Sequence, residues 1–152
     1  MTESCLSQVP AFVKLAVHTR SEGALATLIL PWDVATLSAN RTLGRHWGKD
    51  YHLKDDARLV ARWAYLAAGE PSLIVPTNVR LLVMRERCLD DENALLGCKL
   101  IRDELIRCGL MKDDAPKYWQ WDGIDWIVGR EFLHSTLRKP WMAMIFRERG
   151  GK

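Results

Sequence analysis

The sequence predicts a single-domain α/β (α+β) protein, and three observations carry that prediction. The chain has 152 residues, the size of one domain with one substantial core. Apolar runs of strand length alternate with segments whose apolar residues recur every three or four positions. Hydrophobic residues make up 48% and charged residues 27%, a globular balance that argues against disorder. The predicted element order is β-α-β-α-β-β, a small mixed sheet packed by two helices.

Residues 1–23 lack clear periodicity and are interrupted by Pro10, so an irregular N-terminal arm is expected there, with the domain proper over 24–152. Ala24–Leu30 is a short apolar run closed by Pro31, which reads as a strand. Asp33–Tyr51 is polar, basic and punctuated by Gly44 and Gly48, hence a long loop of the kind that is usually functional or mobile. A helix is expected over Lys54–Ala68, with Asp55 and Asp56 in its first turn and Gly69 past its end. Leu59, Ala61, Trp63, Leu66 and Ala67 would form its buried side. Val79–Arg87 alternates as a strand, with Val79, Leu81 and Val83 on one face and Arg80, Leu82 and Met84 on the other.

The clearest helix pattern runs over Glu92–Cys108, where Leu95, Cys98, Arg102, Leu105 and Cys108 keep the helical spacing and Gly109 supplies the stop. Lys117–Asp122 and Ile124–Phe132 follow as strands turning near Asp122-Gly123, and Met142–Phe146 is the last strand. Trp119 and Trp121 alternate and so share one face of a strand. Core or interface packing accounts for such a pair, and base stacking is the sharper alternative. Trp47, within the basic loop, is the better stacking candidate.

No apolar stretch reaches the roughly 18–20 residues of a membrane span, and Glu3 with no basic region before the first apolar run argues against a signal peptide. A cytoplasmic protein without a membrane partner is expected. Cys5, Cys88, Cys98 and Cys108 contain no Cys-x-x-Cys pair, which makes a zinc site improbable and suits a reducing compartment. Net charge is only +3, yet Arg41, Arg45, His46, Lys49, His52, Lys54, Arg58 and Arg62 crowd one stretch against Asp50, Asp55 and Asp56. Such a stretch attracts phosphate, although a solvated loop and helix face has the same composition.

The chemistry-bearing segment runs from Asp90 to Asp114. On a helix starting near Glu92, residues 99 and 103 each fall within about 20° of residue 92, on opposite sides, which puts Glu92, Lys99 and Asp103 on one stripe. Asp90 and Asp91 precede the helix, and Asp113-Asp114 follow it. Clustered carboxylates beside a lysine suit divalent-metal phosphodiester hydrolysis, because hard oxygens hold Mg²⁺ and a lysine steadies charge on the phosphate. The same residues also make ordinary helix caps, dipole partners and an i,i+4 ion pair. A Ser/His/Asp triad, a glycine-rich phosphate loop and a Cys/His nucleophile pair are not recognisable.

This segment resembles the RusA-like Holliday-junction resolvases of phages and prophages. Their hallmark is Asp-x-Asp-Asn, then Lys and Asp on the next helix, a Gly and an Asp-Asp pair. It stands here as Asp90-Asp91-Glu92-Asn93, Lys99, Asp103, Gly109 and Asp113-Asp114. Leu30-Pro31-Trp32 looks like the family's strand ending, and Asn40 with His46-Trp47 is similar to its basic loop. The resemblance covers about Leu28 to Trp121. It implies an endodeoxyribonuclease of recombination and repair that makes paired nicks in four-way or branched double-stranded DNA. It further implies a homodimer using Mg²⁺, with Mn²⁺ able to substitute and no organic cofactor. The implied metal ligands are Asp90, Glu92 and Asp114, with Asp91, Asp103 and Asp113 as secondary candidates, and Lys99 is the essential lysine. Arg41, Arg45, His46, Trp47, Lys49, Lys54 and Arg58 would meet DNA. The chain departs from the pattern at Glu92, which replaces an Asp, at the longer step from Asn93 to Lys99, and at Leu89, where a basic residue is common. A binding module that kept the fold without the activity, and a nuclease of flap or nicking specificity, are the alternative expectations.

Overall fold

The computed structural model describes residues 8–37 and 51–150. In chain order it contains α1 (Ala11–His18), β1 (Ala26–Leu30), α2 (Tyr51–Ala67), β2 (Thr77–Met84), α3 (Asp91–Leu96), α4 (Lys99–Cys108), β3 (Trp119–Ile127), α5 (Gly129–His134) and β4 (Trp141–Glu148). The four strands form one mixed sheet in the order β1-β4-β2-β3. β4 pairs antiparallel with both β1 and β2, while β2 and β3 run parallel and leave β3 on an edge. The fold is therefore the α+β class expected, in a single small domain.

Alternation along β2 sorts its side chains as expected. Val79, Leu81 and Val83 join the larger core, under Ala57, Ala61 and Ala64 of α2 and Ile101 and Leu105 of α4. Leu82 and Met84 face the opposite side and join a smaller core with Ile127 and Ala143. The buried stripe of α2 is mainly alanine, so that helix approaches the sheet and α4 closely. Leu59 and Leu66, expected on its buried side, are exposed instead. The helix also begins at Tyr51 rather than Lys54, which moves Asp55 and Asp56 out of its first turn.

Three further expectations are corrected. The arm over 1–23 is not irregular throughout. α1 buries Val13, Ala16 and Val17, with Val9 beside them, against the sheet's second face. That helix-spaced series was present in the sequence but is short, and Pro10 stands within it just before the helix. The helix over 92–108 is divided at Gly97-Cys98 into α3 and α4. Gly97 packs against the chain after β1: a Cβ there would run into the Val34 carbonyl, and Trp32 Nε1 donates to the Gly97 carbonyl at 3.4 Å. Finally, Asp122-Gly123 is not a hairpin turn, and the chain beyond Val128 forms α5 rather than more strand. Both halves of β3 pair with β2, with a register shift between Val79 and Leu81. Gly123 takes φ 100° there, and a side chain at that position would meet Arg80 Nη1. An Asp-Gly signal specifies positive φ, and an irregularity within a strand uses that as well as a turn does.

Candidate functional site

The strand β2 delivers the chain to Asp90. Just after β2, Arg85 Nε pairs with Asp33 Oδ1 at 3.0 Å, and this half-buried ion pair ties the exit of β1 to the exit of β2. Asp90 then caps α3 in extended conformation (φ −68°, ψ 155°). Its Oδ1 accepts from the Asn93 backbone N–H at 2.8 Å and its Oδ2 from Asn93 Nδ2 at 2.7 Å. Both oxygens of this exposed carboxylate are thereby oriented by one residue, the Asn of the acidic motif. Asp91 and Glu92 occupy the first turn, where the helix dipole favours negative charge.

The break at Gly97-Cys98 invalidates the single-helix geometry that aligned Glu92, Lys99 and Asp103. Glu92 and Lys99 nevertheless come to one place. Together with Leu95, Leu96, Arg102 and Trp121 they line a concavity of about 330 Å³ against edge strand β3. Asp103 does not line it. Trp119 and Trp121 share a face as expected, their rings in edge contact at 5.2 Å, and they divide the work. Trp119 is buried in the core against Phe146, while Trp121 is half-buried and borders the concavity.

Arg102 is the residue that spacing alone undervalued. Its Nη2 pairs with Asp114 Oδ2 at 3.2 Å, so the loop after α4 is drawn back onto that helix. Its Nε is buried without a hydrogen-bond partner and stands 3.7 Å from Asp103 Oδ1. A charged residue on the apolar stripe of a helix was the available signal. Asp113 faces its own loop, accepting from the Ala115 N–H at 2.7 Å. Behind the site, Cys98 is fully buried. Burial pushes its thiol up to about 12, which leaves it protonated and excludes it as a nucleophile.

Among the described residues, no three His, Cys, Asp or Glu side chains gather closely enough to hold a metal ion. Asp90, Glu92 and Asp114 are thus not assembled into a closed cage. The donor chemistry nonetheless fits Mg²⁺, which commonly takes one or two carboxylates and completes its shell with water and substrate phosphate. Of the expected DNA-contacting residues, Arg41, Arg45, His46, Trp47 and Lys49 lie outside the described residues. Lys54 and Arg58 lie on α2, where Arg58 pairs with Asp55 at 3.3 Å. No helix among the described residues is long and apolar enough to cross a membrane. None of the family models and none of the curated proteins compared with the chain matches it.

Proposed function

We propose that this protein is a Mg²⁺-dependent endodeoxyribonuclease that cuts four-way or branched DNA by paired nicks, acting as a homodimer in recombination and repair. The observation that carries the reading is the convergence of Glu92 and Lys99 on one concavity, despite the break between their helices, with Asp90 capping the helix that bears Glu92. Lys99 supplies a compact positive charge for a phosphate oxygen in that concavity. Arg102, at the same wall, keeps Asp114 close to α4. Asn93 fixes the direction of the Asp90 carboxylate. Trp121 borders the same concavity as Lys99, and an indole face there can stack with an unpaired base. Mg²⁺, when bound by Asp90, Glu92 and Asp114, would activate water and offset charge on the phosphate.

A second reading has its own support. The hold of Arg102 on Asp114, with no three-carboxylate group among the described residues, favours a module that binds branched DNA without cutting it. Incubation of the purified chain with a synthetic four-way junction and a matched linear duplex, with and without Mg²⁺, separates the two. Mg²⁺-dependent cleavage of the junction supports the nuclease. Junction binding without cleavage at any metal concentration replaces it with the module.

A further inference from the structure

The sheet's second face is covered over only part of its area. α1 and α5 close over Leu82, Met84, Ile127 and Ala143. Beyond them, Arg80 of β2, Asp125 of β3 and Arg147 of β4 line a cavity of about 430 Å³, together with Arg20 and Glu22 from the turn after α1. This cavity shares no residue with the Glu92–Lys99 concavity.

Its charges are unevenly matched. Asp125 is engaged by Arg80, whose Nε reaches Oδ2 at 3.0 Å and whose Nη2 reaches Oδ1 at 2.8 Å. Those hydrogen bonds hold the Asp125 carboxyl below its ordinary range, so both partners stay ionised. Arg147 is held differently. Its Nε and Nη2 donate to the Glu22 carbonyl at 3.4 and 3.3 Å, and Nη2 also donates to the Arg20 carbonyl. Arg20 Nη1 donates to the Ala16 carbonyl at 3.0 Å, and its Nε stands a full 4.0 Å from Asp125. A carbonyl accepts a hydrogen bond without neutralising the donor's charge. Arg147 is therefore oriented by carbonyls, and it and Arg20 share only the longer-range charge of Asp125, whose hydrogen bonds go to Arg80.

We propose that this cavity binds a phosphate group, with Arg20 and Arg147 as the binding cations and the Arg80–Asp125 pair as its fixed wall. The two carbonyls take up the Nε–Nη2 edge of Arg147 and leave its Nη1 to donate to a phosphate oxygen, and a guanidinium already held in place loses little freedom on binding. Arg20 and Arg147 approach from separate elements, so a tetrahedral anion meets both, whereas a planar carboxylate is satisfied by one fork. The group can belong to a nucleic-acid backbone or to a small phosphorylated molecule.

The test uses the full chain in metal-free buffer and follows arginine Nε–H signals during titration with inorganic phosphate, against chloride at matched ionic strength. The Arg20 and Arg147 signals are expected to move saturably with phosphate alone. Arg20→Gln combined with Arg147→Gln should weaken the affinity at least about tenfold, as loss of two charge-assisted contacts implies. Asp125→Asn should tighten it several-fold by removing a competing carboxylate, and it carries the test if the double variant does not fold. Absence of a saturable shift, or an unchanged or weaker affinity in Asp125→Asn, overturns the site. Displacement of the phosphate by a short linear duplex assigns the occupant to a DNA backbone, and failure to displace it assigns a small phosphorylated ligand. No cleavage is read, so this result is separate from the nuclease reading.

Discussion

Asp90 has a structural role and a proposed chemical one, and different substitutions separate them. Its carboxylate accepts the Asn93 N–H, which is the work of a helix cap. Asn caps about as well as Asp, whereas Ala costs about 1 kcal/mol. Asp90→Asn is therefore expected to melt within about a degree or two of wild type, and Asp90→Ala about 2–4 °C lower. If the carboxylate also serves cleavage, both variants lose it by orders of magnitude, since removing the charge removes the metal's attraction. Wild-type-like junction cleavage by folded Asp90→Asn would reduce the residue to a cap. Arg102 gives a complementary case. While its guanidinium holds Asp114, that carboxylate is not free to turn toward Asp90 and Glu92. Arg102→Gln should enlarge the rise in melting temperature produced by Mn²⁺, because binding to the folded state alone stabilises it. An equal or smaller rise would show that Asp114 does not take part. At this scale the sequence named Glu92 and Lys99, which the structure brings to one concavity, and Asp90, which it places as the cap of α3. The role of Arg102 was not legible, because helical spacing assigned it to the apolar stripe without naming its partners.

Among the elements, the joint between α3 and α4 sets the site. A single helix through Gly97 would carry Lys99 along the straight axis of α3, and the close pass of the Val34 backbone makes that joint specific to glycine. Gly97→Ala must push backbone against backbone, an overpacking cost of about 1–3 kcal/mol. A fall in melting temperature of about 3–10 °C is expected, and under the proposed nuclease reading cleavage should weaken as well although no site residue is changed. Thermal melts beside junction assays read both, and an unchanged melt would mean the joint relaxes freely.

The irregularity in β3 is held by Arg80, which donates to the Asp122 carbonyl at 2.5 Å while pairing with Asp125 across the strands. Because the folded carboxyl of Asp125 titrates below its ordinary value of 3.8, the pair stabilises the fold above that value and loses its contribution as pH falls through the lowered one. Asp125→Asn should therefore be less stable than wild type above about pH 5, with the gap closing under acid. The carboxylate is about a third exposed, so solvent screening keeps the gap small. A gap independent of pH in denaturant titrations would assign the loss to packing. The sequence made β1, β2 and β4 legible through apolar runs and alternation. It obscured α1, the α3–α4 break and continuous β3, because each depends on contact with a distant segment: the second sheet face, the Val34 backbone and strand β2.

For the whole molecule, the proposed reaction makes a demand that one copy of the site does not meet. A four-way junction is resolved only when two strands of like polarity are cut at related positions, and a two-fold dimer brings two identical sites to them. A chain of 17.4 kDa should therefore sediment as a particle of twice that mass, at least on junction DNA. Two copies also make a composition experiment possible. Differently tagged wild-type and Asp90→Asn chains, mixed and purified as the heterodimer, contain one competent site and one disabled site on an otherwise unchanged scaffold. Asp90→Asn removes a negative charge near phosphate, so junction affinity should hold or rise. The heterodimer is then expected to bind like wild type, to nick one strand of a supercoil-extruded junction, and to leave the plasmid relaxed rather than linear. The wild-type homodimer should linearise it within one binding event, and the Asp90→Asn homodimer should leave it supercoiled. Linear product from the heterodimer at the wild-type rate would mean that one chain makes both cuts, and the two-fold arrangement would have to be given up.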